Sequence, residues 1–295
     1  MSALPQSPME SPANKLRQLL NSGSLLLMPC CFDALSARII EAAGFPLTFM
    51  SGFAVSATRL GLPDTGLISY GEMVDQGRNI CASVSIPVIG DGDTGYGNAM
   101  NVRRTVAGYA RAGFACIMLE DQLAPKRCGH TQGKMVVERA EALQRIRAAV
   151  DCREEGCDIL IMARTDARAT HGFREALWRA QAFAGLGADI VFLEAPESEE
   201  ELRAFCREVP GPKMANMLEE GKTPLLPPKR LQELGFAIAA YPLTLLNHAI
   251  GAMQQALREL KDGRQPQPPL SFAELRRVVG FAEYSQEEER YHLPD

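Results

Sequence analysis

No two of the eight cysteines stand in a C-x-x-C pair, so the zinc-ribbon and dithiol-redox patterns have no support. Positive charge is not in excess: the net charge of −5 argues against a general nucleic-acid surface and leaves a small anionic substrate open. No apolar run is long enough to span a bilayer, and no charged-then-apolar signal opens the chain. A Gly-rich phosphate turn after the first strand is also missing. Where a doubly wound nucleotide-binding sheet would place one, the chain reads Pro29-Cys30-Cys31-Phe32-Asp33. These absences predict a reducing, cytoplasmic compartment and neither nucleic acid nor membrane as partner. The remainder is ordinary globular composition, 46% hydrophobic and 23% charged, over 295 residues. A core of that size needs no disulfide staples. Cys81 and Cys116 lie in apolar contexts and are expected to be buried.

Short β-rich runs alternate with helical patterns along the chain. The runs are 25–28, 46–51, 86–91, 115–120, 158–164, 189–194, 212–216 and 236–241. Amphipathic stretches separate them, and Gly44, Gly113, Gly187 and Gly235 stand at helix-stop positions. Near-continuous apolar strands indicate a parallel sheet buried on both faces, and eight strand–helix units are the closing number. The fold class is therefore α/β, a (β/α)8 barrel, predicted over 14–262 after a flexible leader at 1–13. A Pro-rich arm at 263–270 follows, then a helical segment at 271–295. Ser271 and Glu274 make a capping box, and Phe272, Leu275, Val278, Val279 and Phe281 form one apolar face. A ninth helix has no place in a closed barrel, so it is expected on a partner subunit.

Polar residues gather where the strands end: Ser51-Gly52, Asp91-Gly92-Asp93, Glu120-Asp121-Gln122, Arg164-Thr165-Asp166, Glu194, Asn216 and Tyr241-Pro242. In a barrel these ends share one mouth, where active sites lie. Asp91, Asp93 and Glu120, with Asp64 on the loop after the second strand, would repel one another unless a cation sits between them. Hard oxygen ligands without a His or Cys cluster favour Mg2+, with Mn2+ as the alternative. Arg164 offers a bidentate fork to a substrate carboxylate, and the backbone N–H groups of Ser51, Gly52 and Phe53 offer further donors. Beyond the fourth strand comes Lys126-Arg127-Cys128-Gly129-His130, a loop whose positive charge stabilises a thiolate. Metal, arginine clamp and thiol together point to an oxyacid whose C2–C3 bond breaks to an enolate, with Cys128 giving the one proton needed.

Several strings resemble the isocitrate lyase and phosphoenolpyruvate mutase superfamily over about Asn14 to Arg290. They are Phe32-Asp33-Ala34-Leu35-Ser36-Ala37, Leu60-Gly61-Leu62-Pro63-Asp64, Asp91 to Asn98, Leu119-Glu120-Asp121-Gln122, Lys126 to His130 with Gly133-Lys134, Ala163 to Ala167, Glu194-Ala195, Ala215-Asn216-Met217 and Tyr241-Pro242-Leu243. The resemblance implies a C-terminal helix exchanged between subunits of a homotetramer, a dimer of dimers. It implies Mg2+ near Asp91, with Asp64, Asp93 and Glu120 holding it largely through waters. It assigns the oxyacid end to Arg164 and the Ser51-Gly52-Phe53 backbone, with Lys126, Arg127, Gly129, His130, Tyr241 and Pro242 also at the site. Glu194 and Asn216 orient the substrate, and Cys128 is the acid/base.

The Lys-Arg-Cys-Gly-His loop is the signature of the lyase branch, whose substrates are 2-hydroxydicarboxylates such as 2-alkylmalates or the tricarboxylate 2-methylisocitrate. Oxaloacetate cleavage, a carboxyphosphonoenolpyruvate phosphonomutase and a non-catalytic carboxylate-binding barrel are the alternatives. Phe272 stands where the 2-methylisocitrate lyase pattern has Arg, and Ala240 where it has Leu. Gly92 stands where the superfamily usually has Ala, with little effect expected.

Overall fold

The computed structural model of the protein describes residues 10–127 and 133–292. Among these, eight parallel strands close into a barrel in sequence order. They are β1 (Leu26–Cys31), β2 (Thr48–Met50), β3 (Val88–Asp91), β4 (Cys116–Glu120), β5 (Leu160–Thr165), β6 (Ile190–Leu193), β7 (Lys213–Asn216) and β8 (Ile238–Tyr241), with β8 pairing back to β1. Each strand falls on one of the predicted runs. β1 continues past Met28, because Pro29 sits within the strand and does not end it. Its carbonyl accepts a hydrogen bond from Thr48 Oγ1 at 2.9 Å.

The helices are α1 (Pro12–Leu20), α2 (Ala34–Ala42), α3 (Gly52–Val55), α4 (Tyr70–Ser83), α5 (Ala99–Ala112), α6 (Arg139–Glu154), α7 (Arg168–His171), α8 (Phe173–Gly185), α9 (Glu199–Glu208), α10 (Pro228–Leu234), α11 (Thr244–Lys261), α12 (Phe272–Val279) and α13 (Phe281–Glu289). A short π-helix, Ser56–Leu60, prolongs α3. Reciprocal capping boxes open α2 (Asp33/Ser36), α4 (Ser69/Glu72) and α5 (Asn98/Asn101). Left-handed Gly113 and Gly235 end α5 and α10. Strand alternation sorts the apolar residues into three layers. Met28, Phe49, Met118, Met162, Phe192 and Met214 fill the barrel, while two outer clusters pack the strands against the helices. Cys116 is buried and Cys81 half-buried.

Three expectations change. The leader ends earlier than residue 13: Ser11 caps α1, Pro12 takes its first turn, and fully buried Ala13 and Leu16 join the cluster that fills the barrel. The body holding the barrel ends at Leu245, inside α11, and not at residue 262. Beyond that point α11 buries only Leu246 and exposes Ile250, Met253, Leu257 and Leu260. Finally, the C-terminal helix is two helices, because Gly280 at φ 87° ends α12 where its capping box at Ser271/Glu274 began it.

Candidate active site

All eight strands contribute to one cavity at their C-terminal ends, where active sites of such barrels lie. Its wall holds Cys30, Ser51, Asp91, Glu120, Arg164, Glu194, Asn216 and Ala240, joined by Phe53 of α3 and, from the loops, by Asp64, Lys126, Arg127 and Pro242. One side is apolar, with Phe192, Met214, Leu218, Ala240 and Leu243. Tyr241 is not on the wall. Side chains alternate along a strand, so Ala240 faces the cavity and Tyr241 packs outward with Leu193, Ala215 and Ala239.

The amides read as carboxylate donors are mostly used within the chain. Ser51 N–H donates to Cys31 O at 3.1 Å. Gly52 N–H donates to Asp91 Oδ2 at 3.2 Å. A Cβ on Gly52 would lie 2.5 Å from that same oxygen, so glycine lets the backbone approach the carboxylate. Of the three amides, Phe53 N–H alone has no partner among the described residues. Asp91 Oδ1 accepts from Asp93 N at 3.0 Å, so both oxygens of Asp91 are aimed by main-chain donors. Gly92 matters more than expected: a Cβ there would meet Met118 O and Ile117 Cδ1 at 2.7 Å, so alanine requires the β3–β4 ends to shift.

Arg164 is likewise more committed than a free fork. Its Nε donates to Asp166 Oδ2 at 2.8 Å and its Nη2 to Asp166 Oδ1 at 3.0 Å. Glu120 Oε2 and Glu194 Oε2 lie 3.3 Å from Nε and Nη2. Among the described residues Nη1 has no such partner and is open to a substrate carboxylate. Asp166 is itself gripped by Lys134 Nζ at 2.9 Å. Asp121 holds the same turn: Oδ1 accepts from Asp166 N at 2.8 Å and Oδ2 from Thr165 Oγ1 at 2.7 Å. Arg179 Nη1 backs Asp121 at 3.1 Å. Burial would raise the Asp166 carboxyl, but Arg164 and Lys134 outweigh it and hold it below its ordinary value. Burial would lower the Arg164 guanidinium, but Asp166, Glu120 and Glu194 keep it well above its ordinary value. Asn216 Nδ2 approaches Glu194 Oε1 at 3.4 Å. The supporting layer of Asp121, Lys134, Asp166 and Arg179 was not predicted from sequence.

Asp166→Asn should loosen the Arg164 fork without removing it from the site. KM for the carboxylate substrate is expected to rise by roughly ten- to a hundredfold, with kcat falling less, the usual size of an effect from a group supporting a ligand. Steady-state kinetics on the folded variant check this, and an unchanged KM would refute the positioning role.

The remaining acids lie toward β3 and the loop after β2, next to the Arg164 side of the mouth. Lys126 Nζ lies 2.5 Å from Asp64 Oδ1 and 2.8 Å from Asp93 Oδ1. Asp93 holds a left-handed backbone, φ 48°. Burial, then Asp93, pushes the Asp91 carboxyl up to about 6 against the pull of Lys126. Burial also raises Glu120 well above the usual carboxylate range, with Arg164 opposing. Burial would lower the Lys126 ammonium, but Asp93, Asp91, Glu120 and Asp64 keep it well above its ordinary value.

A divalent cation fits this mouth electrostatically. Six buried carboxylates (Asp64, Asp91, Asp93, Glu120, Asp166 and Glu194) face three buried cations (Lys126, Lys134 and Arg164). Among the described residues Glu120 Oε1 is buried with no hydrogen-bond partner. Yet among the described residues no three His, Cys, Asp or Glu side chains gather tightly enough to form a direct ligand set. The residues therefore suit an ion held by few protein oxygens with water completing the shell, as Mg2+ prefers.

The base of the loop after β4 is a small antiparallel bridge. Gln122 pairs with Val136, Leu123 N donates to Met135 O at 2.8 Å, and Val137 N to Asp121 O at 2.9 Å. The Gln122 amide clamps the backbone of Arg127 from both sides, accepting from its N at 2.9 Å and donating to its O at 2.8 Å. Lys126 turns inward, while the exposed Arg127 borders the cavity. Cys128, Gly129 and His130 lie outside the described residues.

Fold and mouth together define a (β/α)8-barrel enzyme with its site at the strand C-termini. Residues 16–261 match the phosphoenolpyruvate phosphomutase family, and the chain belongs to the phosphoenolpyruvate mutase/isocitrate lyase superfamily, as a carbon–carbon lyase. It is 42% identical to 2,3-dimethylmalate lyase of Eubacterium barkeri, over 95% of this chain and 98% of that one. It is 41% identical to 2-methylisocitrate lyase of Aeropyrum pernix, over 89% and 84%. A structure of oxaloacetate acetylhydrolase with the inhibitor 3,3-difluorooxalacetate superimposes with a TM-score of 0.91 at 37% identity, over 95% and 96% of the two chains. Among the described residues no helix is long and apolar enough to cross a membrane.

Proposed function

We propose that the protein is a Mg2+-dependent lyase that cleaves the C2–C3 bond of a 2-hydroxydicarboxylate, giving a 2-oxoacid such as pyruvate and a second carboxylate. One observation carries this reading: the cavity sets an over-acidic, buried metal-type corner beside a positioned arginine and an apolar wall. Asp91 would hold the ion, with Asp64, Asp93 and Glu120 around it. When bound, the ion acts as a Lewis acid toward the 2-oxygen and the neighbouring carboxylate. Arg164 Nη1 and Phe53 N–H bind carboxylate oxygens, while Glu194 and Asn216 orient the carbon skeleton. The 2-hydroxyl passes its proton to a carboxylate of the acid corner, and its oxygen becomes the 2-oxo group. The C2–C3 electron pair passes to C3, which takes one proton from Cys128.

The wall argues for an alkyl-bearing dicarboxylate over a tricarboxylate. Among the described residues, the cations lining the cavity are Lys126, Arg127 and Arg164. The first is taken by Asp64 and Asp93 and the last largely by Asp166, so little cationic surface remains for a third carboxylate. The likeness to oxaloacetate acetylhydrolase favours oxaloacetate as the second reading.

The test is 2-oxoacid release from 2,3-dimethylmalate, 2-ethylmalate and 2-methylisocitrate, and oxalate release from oxaloacetate, each with Mg2+ and with chelator. Product from an alkylmalate that disappears with chelator is the expected result. Silence across the panel from folded protein, together with a phosphonate product by phosphorus NMR, would move the assignment to the phosphonomutase.

For assembly, we infer a cytoplasmic homotetramer, a dimer of dimers in which the C-terminal helical segment is exchanged. Support comes from the apolar residues this segment exposes, among them Phe272, Leu275, Phe281 and Tyr284. Leu275→Asp is expected to lower the sedimentation mass from tetramer toward smaller species. A tetramer that persists with Leu275→Asp and Phe281→Asp combined would exclude this interface.

A further inference from the structure

Lys126 is the buried cation nearest the corner where the proposed function places the metal, and its partners are the residues expected around that ion. Its ammonium spans two chain segments, 2.5 Å from Asp64 Oδ1 on the loop after β2 and 2.8 Å from Asp93 Oδ1 after β3. Among the described residues neither oxygen has a hydrogen bond from elsewhere, and this ion pair is what compensates them. Asp93 is tied to Asp91 through its N–H on Asp91 Oδ1 at 3.0 Å, so a cation on one is felt by the other. The backbone under Lys126 is also fixed. A Cβ on Gly66 would lie 3.2 Å from Lys126 N and from Pro125 Cβ, so the 61–66 turn packs directly against it. An ammonium held there screens the acids on its own, and a divalent ion entering the same corner meets a like charge in contact with the oxygens around it. Two cations a few ångströms apart at a buried site repel strongly even at a high effective dielectric constant.

We infer that Lys126 is the built-in counter-ion of the metal-free site, and that the divalent ion and the Lys126 ammonium compete for Asp64 and Asp93. Metal entry turns Nζ away from these oxygens, and metal loss returns it. Lys126 thereby sets the metal affinity and keeps the acid cluster folded when no ion is present. This role rests on the metal reading above but does not depend on the substrate.

The experiment uses the full-length protein and Mn2+ alone, without substrate, at pH 8. Binding is followed by electron paramagnetic resonance of free Mn2+, in wild type and Lys126→Met, with folding checked by circular dichroism. Lys126→Met is expected to bind Mn2+ about tenfold more tightly, or more, because the competing charge is gone. In parallel, acetylation of the Lys126 amine in wild type is timed by peptide mass spectrometry. The rate is expected to be slow without metal and several-fold faster with saturating Mn2+. The labelling arm needs no variant, so it decides the matter even if Lys126→Met does not fold. Tighter binding with unchanged labelling would reduce Lys126 to a distant repulsive charge and overturn the exchange. Equal or weaker binding by Lys126→Met would overturn the competition. No Mn2+ binding by wild type would remove both this inference and the metal-dependent lyase reading, whereas binding without lyase activity on any substrate would remove only the latter.

Discussion

Cys128→Ser is expected to lower turnover by about 10²–10⁴-fold, the range for removal of a general acid, while Mn2+ and a 2-oxoacid product still bind. The serine hydroxyl preserves size and hydrogen bonding but is a far weaker acid than a thiol. It therefore separates proton delivery from shape. The surroundings sharpen the expectation. Of the two cations that precede Cys128, Lys126 is committed to Asp64 and Asp93, so its charge is not free to stabilise a thiolate. Arg127 borders the cavity, and its backbone is pinned by Gln122, which fixes where the chain departs toward Cys128. A single-turnover measurement should show bond cleavage or product formation slowed, with an unchanged metal isotherm. Turnover within about twofold of wild type would show that another group supplies the proton. Loss of metal binding together with turnover would indicate a structural role.

The barrel was legible because its signal is local. Each β run is apolar on both faces, and the polar residue that follows it lies in the mouth simply because all the strands are parallel. That geometry alone brings Asp91, Glu120, Arg164, Glu194 and Asn216 to one cavity from chain positions 125 residues apart. The direction of a side chain within the mouth was less legible. The sequence puts Tyr241 beside Pro242 at the end of its strand, but strand alternation turns it outward and gives the wall to Ala240. Taken alone Arg164 offers a free fork, but Asp166 stands two residues on, the spacing that puts two side chains on one face of a strand. That sign was in the sequence. Lys134 was not readable in the same way, since its bond to Asp166 crosses 32 residues of loop and helix. The leader illustrates the opposite error. Its composition is polar and Pro-rich, yet Ser11 and Pro12 start a helix there and Ala13 is buried in the barrel, a contact with residues that lie beyond any local window. Gly280 was inside a stretch whose capping box and apolar spacing outvoted it. A left-handed glycine is a stronger stop than periodicity is a continuation.

Asp91→Asn is expected to abolish metal-dependent activity, by roughly a thousandfold or more, since loss of a Lewis acid removes several kilocalories of transition-state stabilisation. The structure gives this variant a second, opposite effect on stability. The ionised Asp91 carboxylate is buried beside Asp93 and Asp64, and its pKa in the metal-free fold stands at about 6, above the ordinary 3.8. A carboxyl whose pKa is higher in the folded than in the unfolded state holds its proton better when folded. Its contribution therefore favours folding below about pH 4 and is lost as pH rises through about 6. Asparagine carries no charge at any pH, so metal-free Asp91→Asn avoids this loss. Part of the gain is offset, because the amide must turn its NH2 toward either Gly52 N–H or Asp93 N–H, both of which donate to the carboxylate now. Without metal, the melting temperature of Asp91→Asn relative to wild type is thus expected to improve from pH 4 to pH 8. With saturating Mg2+ the order reverses at pH 8, because the ion stabilises only the protein that binds it. Thermal melts at the two pH values, with and without Mg2+, read both effects at once. A wild type that gains nothing from Mg2+ at pH 8 would remove Asp91 as the anchor of the ion, and a pH-independent difference between the two metal-free proteins would show that its buried charge is not what the acid corner has to balance.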